Sequence, residues 1–249
     1  MKNIFIAILV FIWASFSVIA IAQTQTKKNN IIVKKPDFEE IKQSTQDESS
    51  KYFFPKLLEK YRKNDTIMDL EDYRHLYYGY SFQEDYDPYR ESEYANKIKT
   101  LYFKKSRHTN AECDTIMKYA EQSLEDNPFD LRQMSFYIIA LKEKRKNARA
   151  SIWQYRLNHL VEAILSSGNG SEEKPWYVIS PSHEYNILNF MNFIAKNHQS
   201  LENSQVDYLE VEDTGKKNAA KGFYFDVSRV IDVNNIKFIE PKAASAPSK

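Results

Sequence analysis

Residues 113–141 read CDTIMKYAEQSLEDNPFDLRQMSFYIIAL and contain two helical patterns separated by a proline. In the first pattern, apolar or small side chains recur at helical spacing at Cys113, Ile116, Met117, Ala120 and Leu124. Pro128 ends this helix because it cannot donate a backbone hydrogen bond, and Asp130 can cap the next helix. The second pattern has its apolar stripe at Leu131, Met134, Ile138 and Leu141. The stretch therefore predicts a helical hairpin with the Cys113 thiol in its core.

The patterns on either side of this hairpin indicate the fold class. Helical spacing extends from residue 53 to the loop SSGNG at 166–170. WYVI at 176–179 favours a short strand, and Ser180-Pro181 opens one more helix. VDYLEVE at 206–212, GFYFDVS at 222–228 and IKFIE at 236–240 are predicted strands, with a hairpin loop at 213–218. The order predicts an α+β protein, mainly helical hairpins followed by a small antiparallel β-sheet.

The composition of the 249 residues excludes several classes of protein. A hydrophobic content of 42% and a charged content of 28% are typical of a globular chain with a core. Five glycines and eight prolines are too few for glycine-rich phosphate loops or an all-β fold. Because 35 basic residues nearly balance 34 acidic ones, we expect no nucleic-acid partner.

The N-terminus has the pattern of a secretory signal peptide. A short positive stretch precedes the apolar residues 4–22, which end in Ala20-Ile21-Ala22. Small side chains at Ala20 and Ala22 favour cleavage before Gln23. The sequence thus predicts an extracytoplasmic protein, periplasmic or secreted, without a membrane span after cleavage. An uncleaved signal-anchor is the alternative, because this apolar run is almost long enough to span a bilayer.

The rest of the chain divides into four predicted regions. Residues 23–36 are polar and basic without an apolar period, which predicts a flexible linker. A helical region of repeat-like hairpins covers 37–170, and a small α+β region with antiparallel strands covers 171–241. The polar residues 242–249 are predicted to form a disordered tail.

Two resemblances to known families follow from short motifs. LYYGY at 76–80, YDPY at 86–89, NPFDL at 127–131 and GFYF at 222–225 are similar to a secreted family of Bacteroidetes-type bacteria whose domain has no known function. This resemblance spans roughly residues 53–240. It implies an extracytoplasmic bacterial protein, and it assigns no residue of this chain a catalytic role. Residues 111–165 resemble a tetratricopeptide helical hairpin, with Pro128 between its helix pairs.

Tyrosine is concentrated in one part of the chain, since ten of the 17 tyrosines lie between residues 52 and 102. Tyr73, Tyr77 and Tyr80 share a helical stripe with Leu70, which favours core packing. Tyr78, Tyr86 and Tyr89 lie off that stripe or in a loop. Since a tyrosine offers both an apolar face and a hydroxyl, we predict that these three line a ligand-binding groove.

The remaining polar residues predict no metal site, cofactor or catalytic residue. No two histidines have the i, i+4 spacing that places both on one metal. His183 and Glu184 open a predicted helix, where a structural role is favoured over an acid/base pair. Asp207, Glu210, Glu212 and Asp213 could hold calcium at a strand end, but they lack the usual loop and are better explained as solvated strand faces.

The sequence does not identify a specific function, but it favours a binding protein over an enzyme. We expect a non-enzymatic extracytoplasmic binding or protein-interaction module. Its partner would be an envelope protein, a peptide or a glycan. The alternative is a cell-envelope hydrolase whose carboxylate or histidine site the sequence does not locate.

Overall fold

The computed structural model describes residues 33–104, 106–201, 205–212 and 220–232. The predicted signal peptide, most of the predicted linker, the loop at 213–218, the strand at 236–240 and the tail lie outside these residues. The described end of the predicted linker contacts the fold, because the Lys34 N–H donates to the Ser166 carbonyl at 2.9 Å. Arg74 Nη2 also donates to the Lys34 carbonyl at 2.7 Å.

The first part of the chain is helical. Its elements are α1 (Phe38–Gln46), α2 (Phe54–Arg62), α3 (Leu70–Tyr80), α4 (Glu93–Asn96), a 3₁₀ turn (Lys99–Leu101), α5 (Asn110–Asp126), α6 (Leu131–Glu143) and α7 (Asn147–Leu165). Side chains cap several helix starts by accepting bonds from the first free amides. Asp69 accepts from the Asp72 N–H at 2.8 Å, and Asp130 accepts from the Gln133 N–H at 3.0 Å. The predicted cap at Asp130 is therefore confirmed.

The predicted hairpin around Pro128 is present as α5 and α6. These helices pack on each other, α7 packs on α6, and α3 packs on α7. Cys113 is buried, and its Sγ donates to Glu143 Oε2 at 3.4 Å. The burial of Cys113 confirms the predicted core position, and this burial together with the Glu143 carboxylate raises the pKa of the thiol to about 11.

The second part contains β1 (Trp176–Tyr177), α8 (Pro181–Phe190), β2 (Ala195–Ser200), β3 (Val206–Val211) and β4 (Gly222–Asp226). The strands form one sheet in the order β1-β4-β3-β2. The α+β class is confirmed. β3 and β4 are antiparallel as predicted. β3 also pairs antiparallel with β2, a strand that the sequence did not predict, and β1 pairs with β4 in parallel, so the sheet is mixed and not purely antiparallel. Parallel strands need a long connection between them, and α8, β2 and β3 lie between β1 and β4 in the chain and provide it.

Candidate functional site

Two of the three tyrosines predicted to line a groove are buried. Tyr78 is 0% exposed, and its hydroxyl donates to the Tyr177 carbonyl at 3.3 Å. Tyr86 is 4% exposed and donates to the Ile179 carbonyl. The prediction that these two rings lie on a surface is wrong. For Tyr78 it assumed that α3 buries a single stripe, whereas α3 packs against α1, α2 and α7. Tyr86 follows α3 in the chain, and its ring packs edge-on against Tyr80 with centroids 5.6 Å apart.

Tyr89 does lie on a surface, with 58% of its area exposed. It lines a cavity of about 250 Å³ whose walls include Tyr102, Arg132 and Ser180. A second cavity, of about 370 Å³, lies between Phe103, Phe136 and Phe190. A ligand-binding role for Tyr89 stays a prediction.

These two cavities share the side chains of Tyr102 and Arg132 in their walls, and we refer to them together as the Tyr102 groove. The Tyr102 ring stacks on Phe136 with centroids 4.2 Å apart. Its hydroxyl donates to the Ala95 carbonyl at 3.1 Å and accepts from the Gln133 amide. These contacts fix the ring in the wall, while Phe103 beside it is 80% exposed.

Arg132 is an exposed cation without an ion pair in the part of the chain that the structure describes. Asp130, two residues earlier, instead accepts a bond from the Gln133 backbone. Arg90, which lines the first cavity, lies 3.7 Å from the carboxylates of Asp85 and Asp126. A guanidinium beside aromatic rings suits a ligand that combines an apolar face with an anionic group.

His183 has the structural role that the sequence favoured. Its Nδ1 accepts from the Tyr77 hydroxyl at 2.7 Å, and its Nε2 donates to the Phe129 carbonyl at 3.0 Å. Burial lowers the pKa of this imidazole to about 4, so that it is neutral at pH 7. Both ring nitrogens are occupied, which leaves His183 unable to form the acid/base pair with Glu184.

A cluster of carboxylates and imidazole lies outside the Tyr102 groove, on one face of the sheet. Alternation along β3 places Asp207 on the buried face with Leu209 and Val211. His198 of β2 pairs with Leu209 and therefore lies on the same face. The His198 Nε2 is 3.0 Å from Asp207 Oδ2 and 4.0 Å from Glu184 Oε2 of α8. We call these three residues the acidic cluster.

Glu184 is the unusual member of the acidic cluster. It is 0% exposed, and within the described residues neither of its carboxylate oxygens has a hydrogen-bond partner. Burial, and then the charge of Asp207, raise the pKa of Glu184 to about 9. Without a nearby cation this carboxyl therefore keeps its proton at neutral pH.

The acidic cluster, in which residues of the kinds that bind a metal ion converge, was not predicted from the sequence. The spacing of histidines on one helix does not indicate it, because each member of the cluster lies on a different element. The calcium alternative fails for another reason: Glu210 lies on the opposite face of β3 from Asp207 and contacts Lys196 and Asn197. Asp213 lies outside the described residues.

Residues 39–235 match the model of a protein family that is described as a domain of unknown function, DUF4919. The chain belongs to this family. The DUF4919 match covers the Tyr102 groove and the acidic cluster, and it confirms membership in a family of unknown function. No curated protein and no solved structure matches the chain. Within the described residues of the DUF4919 chain, no helix is both long and apolar enough to cross a membrane.

Proposed function

We propose that this DUF4919 protein is an exported, non-enzymatic binding module that holds an acidic glycan in the Tyr102 groove. The observation that carries the proposal is Arg132, a guanidinium without an ion pair in the described chain, in the wall common to both cavities. Export is supported by the signal-peptide pattern of residues 1–22.

The chemistry of the groove favours a glycan over other ligands. A sugar ring has an apolar face that can lie on an exposed aromatic side chain such as Phe103 or Tyr89. Its hydroxyls need directional polar partners, and Asn186, Asn189 and Ser135 line the same cavity as Phe103. A carboxylate or phosphate on the glycan would pair with the Arg132 guanidinium in a bidentate manner.

The alternative function, a cell-envelope hydrolase, has one observation in its favour. Glu184, His198 and Asp207 are a converging set of carboxylates and imidazole. None of them lines the Tyr102 groove, so a ligand in that groove would not meet them. We therefore favour glycan binding over hydrolysis as the function of this protein.

Binding is tested on an array that carries acidic glycans, neutral glycans and peptides. We expect the purified protein to retain acidic glycans, with the best one then measured by calorimetry. Phe103→Ala and Arg132→Ala should each weaken its binding at least about tenfold, or about 1.4 kcal/mol. Because both side chains are exposed, the free energy of unfolding should stay within about 0.5 kcal/mol of the wild-type value.

Matched controls come from exposed residues outside the groove. Ile67→Ala removes an exposed apolar side chain, and Arg62→Ala removes an exposed guanidinium. Neither should change the affinity. Glycan binding that survives Arg132→Ala would contradict the proposed site, and retention of peptides alone would show that the partner is a protein. Hydrolysis of an arrayed glycan would favour the alternative function.

A further inference from the structure

We propose that the acidic cluster, Glu184, His198 and Asp207, is a zinc site that ties α8 and the edge strand β2 to β3. It is separate from the Tyr102 groove, and it does not depend on the function proposed for that groove.

The positions of the three side chains fit one ion. One ligand atom from each residue lies within 4.8 Å of the other two, and His198 Nε2 and Asp207 Oδ2 are 3.0 Å apart. Zinc bound at about 2.0–2.2 Å in tetrahedral geometry holds its ligands about 3.4 Å from one another. The His198–Asp207 and His198–Glu184 separations, 3.0 and 4.0 Å, lie on either side of that value.

The buried carboxylate is the independent observation that points to a bound cation. Both oxygens of Glu184 are buried and find no hydrogen-bond partner among the residues that the structure describes, although buried polar groups are nearly always paired. In the described chain, no lysine or arginine forms an ion pair with Glu184 or Asp207, and His198 is the one basic group that does. A divalent cation between the three side chains would displace the Glu184 proton, supply the missing partner for that carboxylate and offset the negative charges of Glu184 and Asp207.

The ligand set favours zinc over the hard cations. Calcium takes six to eight oxygen ligands, and magnesium prefers oxygen in an octahedral arrangement. One imidazole with two carboxylates is a set that zinc accepts, and three protein ligands leave its fourth position for water. His198 is partly exposed, with 39% of its side chain accessible, so this fourth position would face the solvent.

The test uses the purified full-length chain after removal of metals with a chelator. We expect titration with zinc chloride to give one ion per chain and a higher melting temperature, whereas millimolar calcium or magnesium should give neither. Cobalt in place of zinc should produce the strong visible absorption of a tetrahedral site with a nitrogen ligand. The variants Glu184→Gln, Asp207→Asn and His198→Ala should each weaken zinc binding at least about tenfold.

Two features of the variants keep the test decisive. Glu184→Gln preserves the shape of the side chain, and the exposed His198 can be truncated without opening the core, so circular dichroism should show both chains folded. Glu210→Gln is the matched control, because Glu210 lies on the opposite face of β3 and its loss should leave zinc affinity unchanged. Substoichiometric zinc, or equal affinity in wild type and His198→Ala, would overturn the proposal.

Discussion

Three neighbouring tyrosines of α3 allow a sharp test of how the buried hydroxyls hold the fold together. Tyr77 has two hydrogen bonds: its hydroxyl accepts from the Ile179 N–H at 3.2 Å and donates to His183 Nδ1 at 2.7 Å. Tyr78 donates once, to the Tyr177 carbonyl at 3.3 Å. The Tyr80 hydroxyl is buried and has no partner in the described chain. The same substitution, Tyr to Phe, therefore removes two bonds, one bond or none.

The expected changes in the free energy of unfolding follow from these bonds. Tyr77→Phe leaves the Ile179 N–H and His183 Nδ1 unpaired in the core, and each buried unpaired group costs about 1–3 kcal/mol, so the variant should lose about 3 kcal/mol. Tyr78→Phe should lose about 1 kcal/mol, because its single bond is long. Tyr80→Phe should gain about 1 kcal/mol, since it removes a buried hydroxyl that makes no hydrogen bond.

The free energy of unfolding of all three variants is measured by urea titration in the presence of a chelator, with circular dichroism as the signal. With a denaturant slope of about 3 kcal/mol/M for a chain of this size, Tyr77→Phe should lower the midpoint by about 1 M. Tyr80→Phe should raise it by about 0.3 M. Equal losses in the three variants, or a larger loss for Tyr80→Phe than for Tyr77→Phe, would refute the assignment of partners.

Two further predictions concern the loop tyrosines and the N-terminus. Tyr86→Ala should destabilise the protein by about 3–5 kcal/mol because its ring is in the core, whereas Tyr89→Ala should change stability by less than about 0.5 kcal/mol; thermal melts that shift equally would contradict this difference. If residues 1–22 are a signal peptide, the intact mass of the protein recovered from its cells should correspond to a chain that begins at Gln23. A full-length species that only detergent extracts would indicate a signal-anchor instead.

The elements that the sequence predicts well are those decided by near neighbours in the chain. Asp69 and Asp130 cap helices because an acidic side chain reaches amides three residues ahead, and this can be read without knowledge of the fold. The helical hairpin around Pro128 likewise depends on an apolar period and one helix-ending residue. Cys113 is buried because it belongs to that period.

The burial of Tyr78 depends instead on a helix that is distant in the sequence. A periodic stripe identifies one buried face of α3, but α1 covers a second face. Gly79 lies where α1 contacts α3, since a Cβ placed on Gly79 would lie 2.6 Å from Cγ2 of Thr45 on α1. A glycine inside an otherwise regular helix was therefore the available indication that a side chain of another helix packs closely against α3 there.

β2 shows why the sheet was harder to predict than the helices. Its sequence, AKNHQS, has no alternation of apolar and polar residues, because it is an edge strand whose side chains are mostly exposed. Its pairing with β3 includes backbone hydrogen bonds, which leave no trace in side-chain patterns, and polar side-chain contacts that no apolar period marks.

The acidic cluster was hard to predict for both of these reasons. It depends on the pairing of the edge strand β2 with β3, and on the packing of a helix, α8, near the same face of the sheet. No local motif can place Glu184, His198 and Asp207 together, because each comes from a different element. One part was nevertheless accessible: the alternation in VDYLEVE assigns Asp207 to the same face as Leu209 and Val211. An acid on the apolar face of a strand requires a partner, since an unpaired buried charge is strongly unfavourable. The buried acid, rather than the spacing of histidines, therefore predicts that a polar or cationic partner exists, and the long-range contacts are needed to identify it.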